Sequence, residues 1–158
     1  ALMKNKGQII ALDIYEWKLA ELKRRAKRAG AHNIETRYID DNKVIKRLHE
    51  KADRLLIDAP CSGLGVLKRN PDSKWKIDQD FIDRIKNEQQ QILQDYSKML
   101  KKGGKMVYAT CSILPSENNE QVETFLKNNE GFTLLKEEKV MPSDGFDGFY
   151  MALIQRNA

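Results

Sequence analysis

Apolar residues along this chain fall into short runs closed by an acid or a glycine, separated by stretches with a three-to-four-residue apolar period. The run over residues 8–12, closed by Asp13, predicts a short buried strand. Leu19, Leu22, Ala26 and Ala29 form a stripe at helical spacing, which predicts a helix over 16–29 stopped by Gly30. Residues 34–39 predict a second strand leading to Asp40 and Asp41, and 43–50 a short amphipathic helix. Residues 54–57 predict a third strand running into Asp58. A polar loop with glycine and proline covers 60–76. A long helix follows over 79–100, with the stripe Phe81, Ile82, Ile85, Gln89, Ile92, Tyr96, Met99 and Leu100. Gly103-Gly104 turns the chain into a fourth strand over 105–109. Ser116 is placed to cap a helix reaching residue 127, with Glu117 favourable in its first turn. Residues 132–140 and 149–155 predict a closing antiparallel pair. Residues 1–6 read as the tail of a preceding helix. Strands alternating with helices predict an α/β fold with a mostly parallel sheet and right-handed crossovers.

Composition narrows the picture. A length of 158 residues suits one compact domain with one core. The apolar fraction of 41% supports a globular chain, and no run approaches the ~20 apolar residues of a membrane span. Two cysteines without an export signal predict a reducing, cytoplasmic setting. Cys61, Cys111, His32 and His49 lack the close pairing of a structural zinc site, so no metal is expected. The formal charge of +5 is compatible with a polyanionic partner and equally with a solvated basic surface. Its densest cluster, Lys23-Arg24-Arg25-Ala26-Lys27-Arg28, lies on the outer face of the first helix.

Both cysteines follow strand-like runs. Cys61 sits in Leu55-Leu56-Ile57-Asp58-Ala59-Pro60-Cys61-Ser62-Gly63, and Cys111 in Met106-Val107-Tyr108-Ala109-Thr110-Cys111-Ser112. Strands running parallel would project both thiols from the carboxyl edge, where open α/β sheets bind ligands. Two thiols and the Asp58 carboxylate converging there suggest covalent chemistry on an electrophilic carbon. A turn with an inert buried cysteine is the plainer alternative for each. Asp13 ends a strand before a helix, a position for accepting hydrogen bonds from ribose hydroxyls or for capping the helix. Asp40 or Asp41 could bond an adenine's exocyclic amine, or be a solvated loop acid. Lys68, Arg69 and Lys74, with Trp75, combine cations and an aromatic in one loop, suited to phosphate contact and base stacking or to a plain surface.

Taken together, several segments resemble the Sun/Nop family of RNA (cytosine-5) methyltransferases, essentially from end to end. They are Asp58-Ala59-Pro60-Cys61-Ser62-Gly63, Arg69-Asn70-Pro71-Asp72 with Lys74-Trp75, and Gly103-Gly104. Tyr108-Ala109-Thr110-Cys111-Ser112 with Pro115-Ser116-Glu117-Asn118, and the closing Asp147-Gly148-Phe149-Tyr150-Met151-Ala152, complete the set. The resemblance implies a Rossmann-like class I fold, S-adenosyl-L-methionine as cofactor and RNA as partner, 16S ribosomal RNA foremost. It implies Cys111 as the nucleophile adding to cytosine C6 and Cys61 as the thiol assisting release. Asp58 would lie between cofactor and target base, Asp13 would bind the ribose, and Asp40 or Asp41 would lie near the adenine.

The family's Gly-rich first motif and first strand have no counterpart here. The resemblance therefore implies one catalytic domain over 1–158 that is N-terminally truncated, with oligomerisation as one way to cover exposed faces. Transfer RNA is the alternative substrate. A catalytically inactive RNA-binding fragment is the rival from another class. A thiol redox module is a third, lacking the usual Cys-x-x-Cys spacing.

Overall fold

A computed structural model of the protein describes residues 2–158. The chain divides into two compact units, one reaching to Leu48 and the other spanning His49–Ala158.

The first unit contains β1 (Ile9–Asp13), α1 (Glu16–Arg28), β2 (Ile34–Tyr38) and α2 (Asn42–Arg47). β1 and β2 pair in parallel, Ile9 opposite Ile34 and Asp13 opposite Tyr38. Their carboxyl ends therefore share one edge, and Asp13 and Asp40 lie there. Glu16 in the first turn of α1, and Arg25, Lys27 and Arg28 in the last, complement the helix dipole. Leu19 is buried from the predicted stripe, Leu22 and Ala26 are half-buried, and Ala29 is exposed. The basic residues of this helix lie outside, with Arg24 and Arg25 paired to Glu21.

Two expectations change in this unit. Residues 2–5 form turns and not a helix tail, with Lys4 and Asn5 in left-handed backbone. The Asn5 side chain explains the departure: it donates to the Gly30 carbonyl at 2.9 Å and accepts from the His32 amide at 3.1 Å. Such local side-chain bonding lets asparagine hold a conformation that most residues avoid. α2 ends at Arg47, short of residue 50, because Glu50 also turns left-handed.

The second unit contains β3 (Ala52–Asp58), α3 (Gln79–Tyr96), β4 (Leu100–Thr110), α4 (Asn119–Asn128), β5 (Phe132–Val140) and β6 (Phe149–Arg156). Its sheet runs β3-β4-β6-β5. β3 and β4 are parallel, whereas β6 is antiparallel to both β4 and β5. The predicted closing pair is present, and β6 also joins that pair to the parallel strands.

The junction of α3 and β4 differs from the sequence expectation. The helix stops at Tyr96, Ser97–Met99 make a 3-10 turn, and the strand begins at Leu100. Backbone bonds to the edge of β3 account for this. Glu50 donates to the Lys98 carbonyl at 2.9 Å and Lys51 to that of Met99 at 3.0 Å. Both carbonyls are thereby diverted from a continuing helix. β4 then advances from Leu100 to Lys105 while β3 advances only from Ala52 to Arg54. The excess is a tight excursion through Gly103, whose φ of 73° suits glycine. Ser116 does not cap α4. Pro115–Glu117 form a separate 3-10 turn, and α4 starts at Asn119.

Leu93 of α3 and Val122 and Phe125 of α4 bury against Ile57, Met106, Tyr108, Ala152 and Ile154 of the sheet. Phe125 meets Phe132 edge-on with centroids 5.0 Å apart. No helix among the described residues is long and apolar enough to cross a membrane. Leu93 is fully buried while Leu135 is 44% exposed. Leu93→Ala is expected to cost about 2–5 kcal/mol through transfer and cavity terms, and Leu135→Ala within about 0.5 kcal/mol. Urea unfolding of the two variants checks the contrast.

Candidate active site

Asp58 closes β3, in register with Ala109 of β4, and the pairing continues as Ala59 donates to the Ala109 carbonyl at 2.9 Å. Parallel strands thus deliver the segments after 58 and 109 to one end of the sheet. Cys61 and Cys111 meet there, Sγ to Sγ at 3.2 Å, both free thiols and both half-buried.

The two thiols have different affinities for protons. The hydrogen bond to Cys111, and then burial, push Cys61 far above the usual thiol range. The same bond lowers Cys111 to about 7, against opposing contributions from burial and from Asp58 and Glu117. The contact between the two sulfurs thus favours a Cys111 that is readily ionised. A reactive thiolate needs this kind of lowered pKa. Asp58 is exposed beside the pair and acts on Cys111 through its charge.

Beneath the thiols lies a polar cluster that sequence reasoning missed. Glu117 is fully buried. Its carboxylate accepts from the Ser62 amide at 2.8 Å, the Ser62 hydroxyl at 2.5 Å, Gln89 Nε2 at 3.2 Å and the Ser112 hydroxyl. Its backbone carbonyl accepts from the Tyr108 hydroxyl at 2.8 Å. Asn118, also fully buried, donates to the Ser112 carbonyl at 3.0 Å and accepts from Thr110 Oγ1 at 2.5 Å. Gln89 donates in addition to the Pro60 carbonyl at 2.9 Å, while its Oε1 has no hydrogen-bond partner. The signals in the sequence were a glutamine within the apolar stripe of α3 and a serine directly after each cysteine.

Gly65 ties the site's loops together. It donates to the Cys111 carbonyl at 2.9 Å and accepts from the Gly148 amide at 2.7 Å. A Cβ on Gly65 would collide with the Gly148 carbonyl and approach the Cys111 carbonyl to 2.7 Å. The basic loop is anchored at the same closing segment, as Arg69 Nε pairs with Asp147 at 2.7 Å. Lys74 covers the ring of the exposed Trp75 at 4.8 Å, and Lys68 is exposed.

The remaining candidates, Asp13, Asp40 and Asp41, belong to the first unit. Asp13 Oδ1 accepts from the Tyr15 amide at 2.8 Å, and Lys18 lies 3.7 Å from Oδ2. Asp41 is engaged with α2. It caps that helix by accepting from the Lys43 amide at 2.7 Å, and the Lys43 side chain and amide hold its carboxyl below the usual range. Asp40 is exposed and lines a cavity of about 380 Å³ with Arg37, Tyr38, Val44 and Arg47. Among the described residues, no group of three or more His, Cys, Asp or Glu side chains is placed to hold a metal ion.

Residues 1–155 match the family described as 16S rRNA methyltransferase RsmB/F. The chain is 38% identical over 132 residues to a probable ribosomal RNA small subunit methyltransferase B of Bacillus subtilis, covering 83% of this chain and 30% of that protein. It is 39% identical over 162 residues to ribosomal RNA small subunit methyltransferase B of Yersinia enterocolitica, covering 96% and 37%. The chain thus spans about a third of the length of these curated relatives. The crystal structure of NSun6 from Pyrococcus horikoshii with SFG superposes with a TM-score of 0.87 at 27% identity, covering 99% of this chain and 43% of that one. A methyltransferase homologue from the same organism gives 0.83 at 26%, covering 99% and 55%. The fold is the Rossmann-like class I methyltransferase fold.

Gly65→Ala should lose about 1–3 kcal/mol, because the methyl group meets backbone that cannot yield easily. Chemical denaturation measures the loss, and a variant as stable as the parent would show that the loops slide apart without cost.

Proposed function

The chain belongs to the 16S rRNA methyltransferase RsmB/F family, and on that premise we propose that residues 1–158 are the catalytic domain of an S-adenosylmethionine-dependent RNA (cytosine-5) methyltransferase. The substrate proposed is ribosomal RNA of the small subunit, as in the names of the relatives. The observation that carries the reading is the thiol pair: two sulfurs 3.2 Å apart, one lowered to about 7, beside an exposed carboxylate.

Cytosine C5 is a weak nucleophile. The Cys111 thiolate adds to C6, forming a C–S bond and leaving C5 enamine-like. The Asp58 carboxyl faces the polar edge of a base seated at Cys111 and holds it in place. C5 then takes a methyl group, its proton is lost to water, and the C–S bond breaks to restore the ring. Cys111 leaves as a thiolate, and the Cys61 S–H at 3.2 Å donates to it. That bond stabilises the leaving sulfur and so favours release. The base must be unstacked or flipped to reach the pair. Lys68, Arg69 and Lys74 would contact phosphates, with Trp75 offering a stacking face.

The first unit offers a fit for the cofactor, whose contribution when bound is an electrophilic methyl group on a sulfonium. SFG, present in the NSun6 structure, is an analogue of S-adenosylmethionine. Asp13, at the carboxyl end of β1, has the acceptor chemistry for ribose hydroxyls. Asp40, in its cavity with Tyr38 and Val44, has that for an adenine amine. Asp41 is the weaker candidate because its carboxylate is committed to α2.

Cys111→Ala is expected to abolish methyl transfer in the intact enzyme, and Cys61→Ala to accumulate RNA bonded to Cys111. Transfer of labelled methyl and denaturing gels of RNA–protein species read the two outcomes. Full turnover in the first variant, or no trapped species in the second, would remove the assigned roles.

A further inference from the structure

Each half-buried cysteine is followed by a buried serine, and both serines bind the same carboxylate. We infer that Glu117 is a positioning residue that draws the Cys61 and Cys111 loops together and so sets the distance between their sulfurs. The inference rests on Cys111 as the reacting thiol and adds a residue that never touches the base.

Ser62 offers both its amide and its hydroxyl to Glu117, and Ser112 offers its hydroxyl. Gln89 bonds the same carboxylate and also the Pro60 carbonyl, one residue before Cys61. All of these groups donate, which matches the acceptor-only inventory of a carboxylate. The link is thus Cys61–Ser62, Glu117, Ser112–Cys111, with no flexible side chain exposed to solvent along it. The 3-10 turn of residues 115–117, opened by Pro115, brings the carboxylate back under its own strand. Tyr108 clamps that turn from β4 through the Glu117 carbonyl. An acid meant to serve the dipole of α4 would point to solvent, whereas this one is fully buried.

Glu117 influences Cys111 in two opposite ways. Its charge raises the Cys111 pKa, while the contact it maintains with Cys61 lowers it and is the larger effect. The charged and titratable groups bearing on Cys111 are Cys61, Asp58 and Glu117, and Cys61 in turn bears on Tyr108. Replacing Glu117 by glutamine removes the charge and sets an amide against the donors of Ser62 and Ser112. Loss of charge alone would lower the Cys111 midpoint. Loss of positioning would raise it.

The test is the pH dependence of iodoacetamide alkylation in the intact protein, read on separate tryptic peptides for Cys61 and Cys111. Glu117→Gln is expected to move the Cys111 midpoint upward from about 7 toward the ordinary thiol value of ~8.5. Methyl transfer should show kcat reduced about 10–100-fold with KM little changed, as for a misplaced reacting group. A midpoint that stays or falls overturns the inference, whatever the change in melting temperature. If Glu117→Gln does not fold, Ser112→Ala retains the charge and removes one donor, and its midpoint must still rise. Alkylation does not depend on turnover. Methyl transfer persisting in Cys111→Ala would therefore refute the nucleophile assignment separately.

Discussion

A single buried carboxylate joins the two loops that carry the cysteines. Burying a charge without compensation is costly, and burying it under several donors is not. Glu117 is compensated by Ser62, Ser112 and Gln89, which come from the loop after β3, the loop after β4 and the middle of α3. Those are the segments that must agree for two thiols to meet. The hydrophobic core of the second unit fixes the strands, and Met106, Tyr108 and Ile154 fill it. Beyond the strands, the Gly65–Cys111 backbone bond joins the two loops. The polar cluster adds a second tie, made at the serines next to the two cysteines.

The first unit is built on the same principle at a smaller scale. Parallel pairing of β1 and β2 brings their carboxyl ends to one edge, so each strand presents an acid where the chain turns away. Local hydrogen bonding then divides the labour among these acids. Asp41 is used to start α2, and Asp13 organises the entry to α1 through the Tyr15 amide. Asp40 is exposed and lines the cavity of about 380 Å³.

Much of this was legible in the sequence. β1, β2, β5 and β6 lie within a residue or two of the apolar runs that announce them, because each run is short and bounded by turn or polar residues. The meeting of Cys61 and Cys111 at one end of the sheet was legible because each follows such a run. The end of α3 was not, since Met99 and Leu100 extend its stripe without a break, and only backbone bonds from Glu50 and Lys51 reassign them. Glu117 was not legible either. An acid near a helix start looks the same in one dimension whether it faces solvent or a buried pair of serines. That Asp41 caps α2 needed the third dimension as well, because capping depends on where a side chain turns.

Gly65 and Gly148 face each other across the mouth of the site, with no room for a side chain on either. A Cβ on Gly148 would approach the Gly65 Cα to 2.8 Å, and one on Gly65 would strike the Gly148 carbonyl. Neither position can accept a side chain while the other's backbone stays in place, so the lock between the loops leaves both glycines without latitude. Latitude lies instead with exposed neighbours such as Lys68, Lys74 and Phe146.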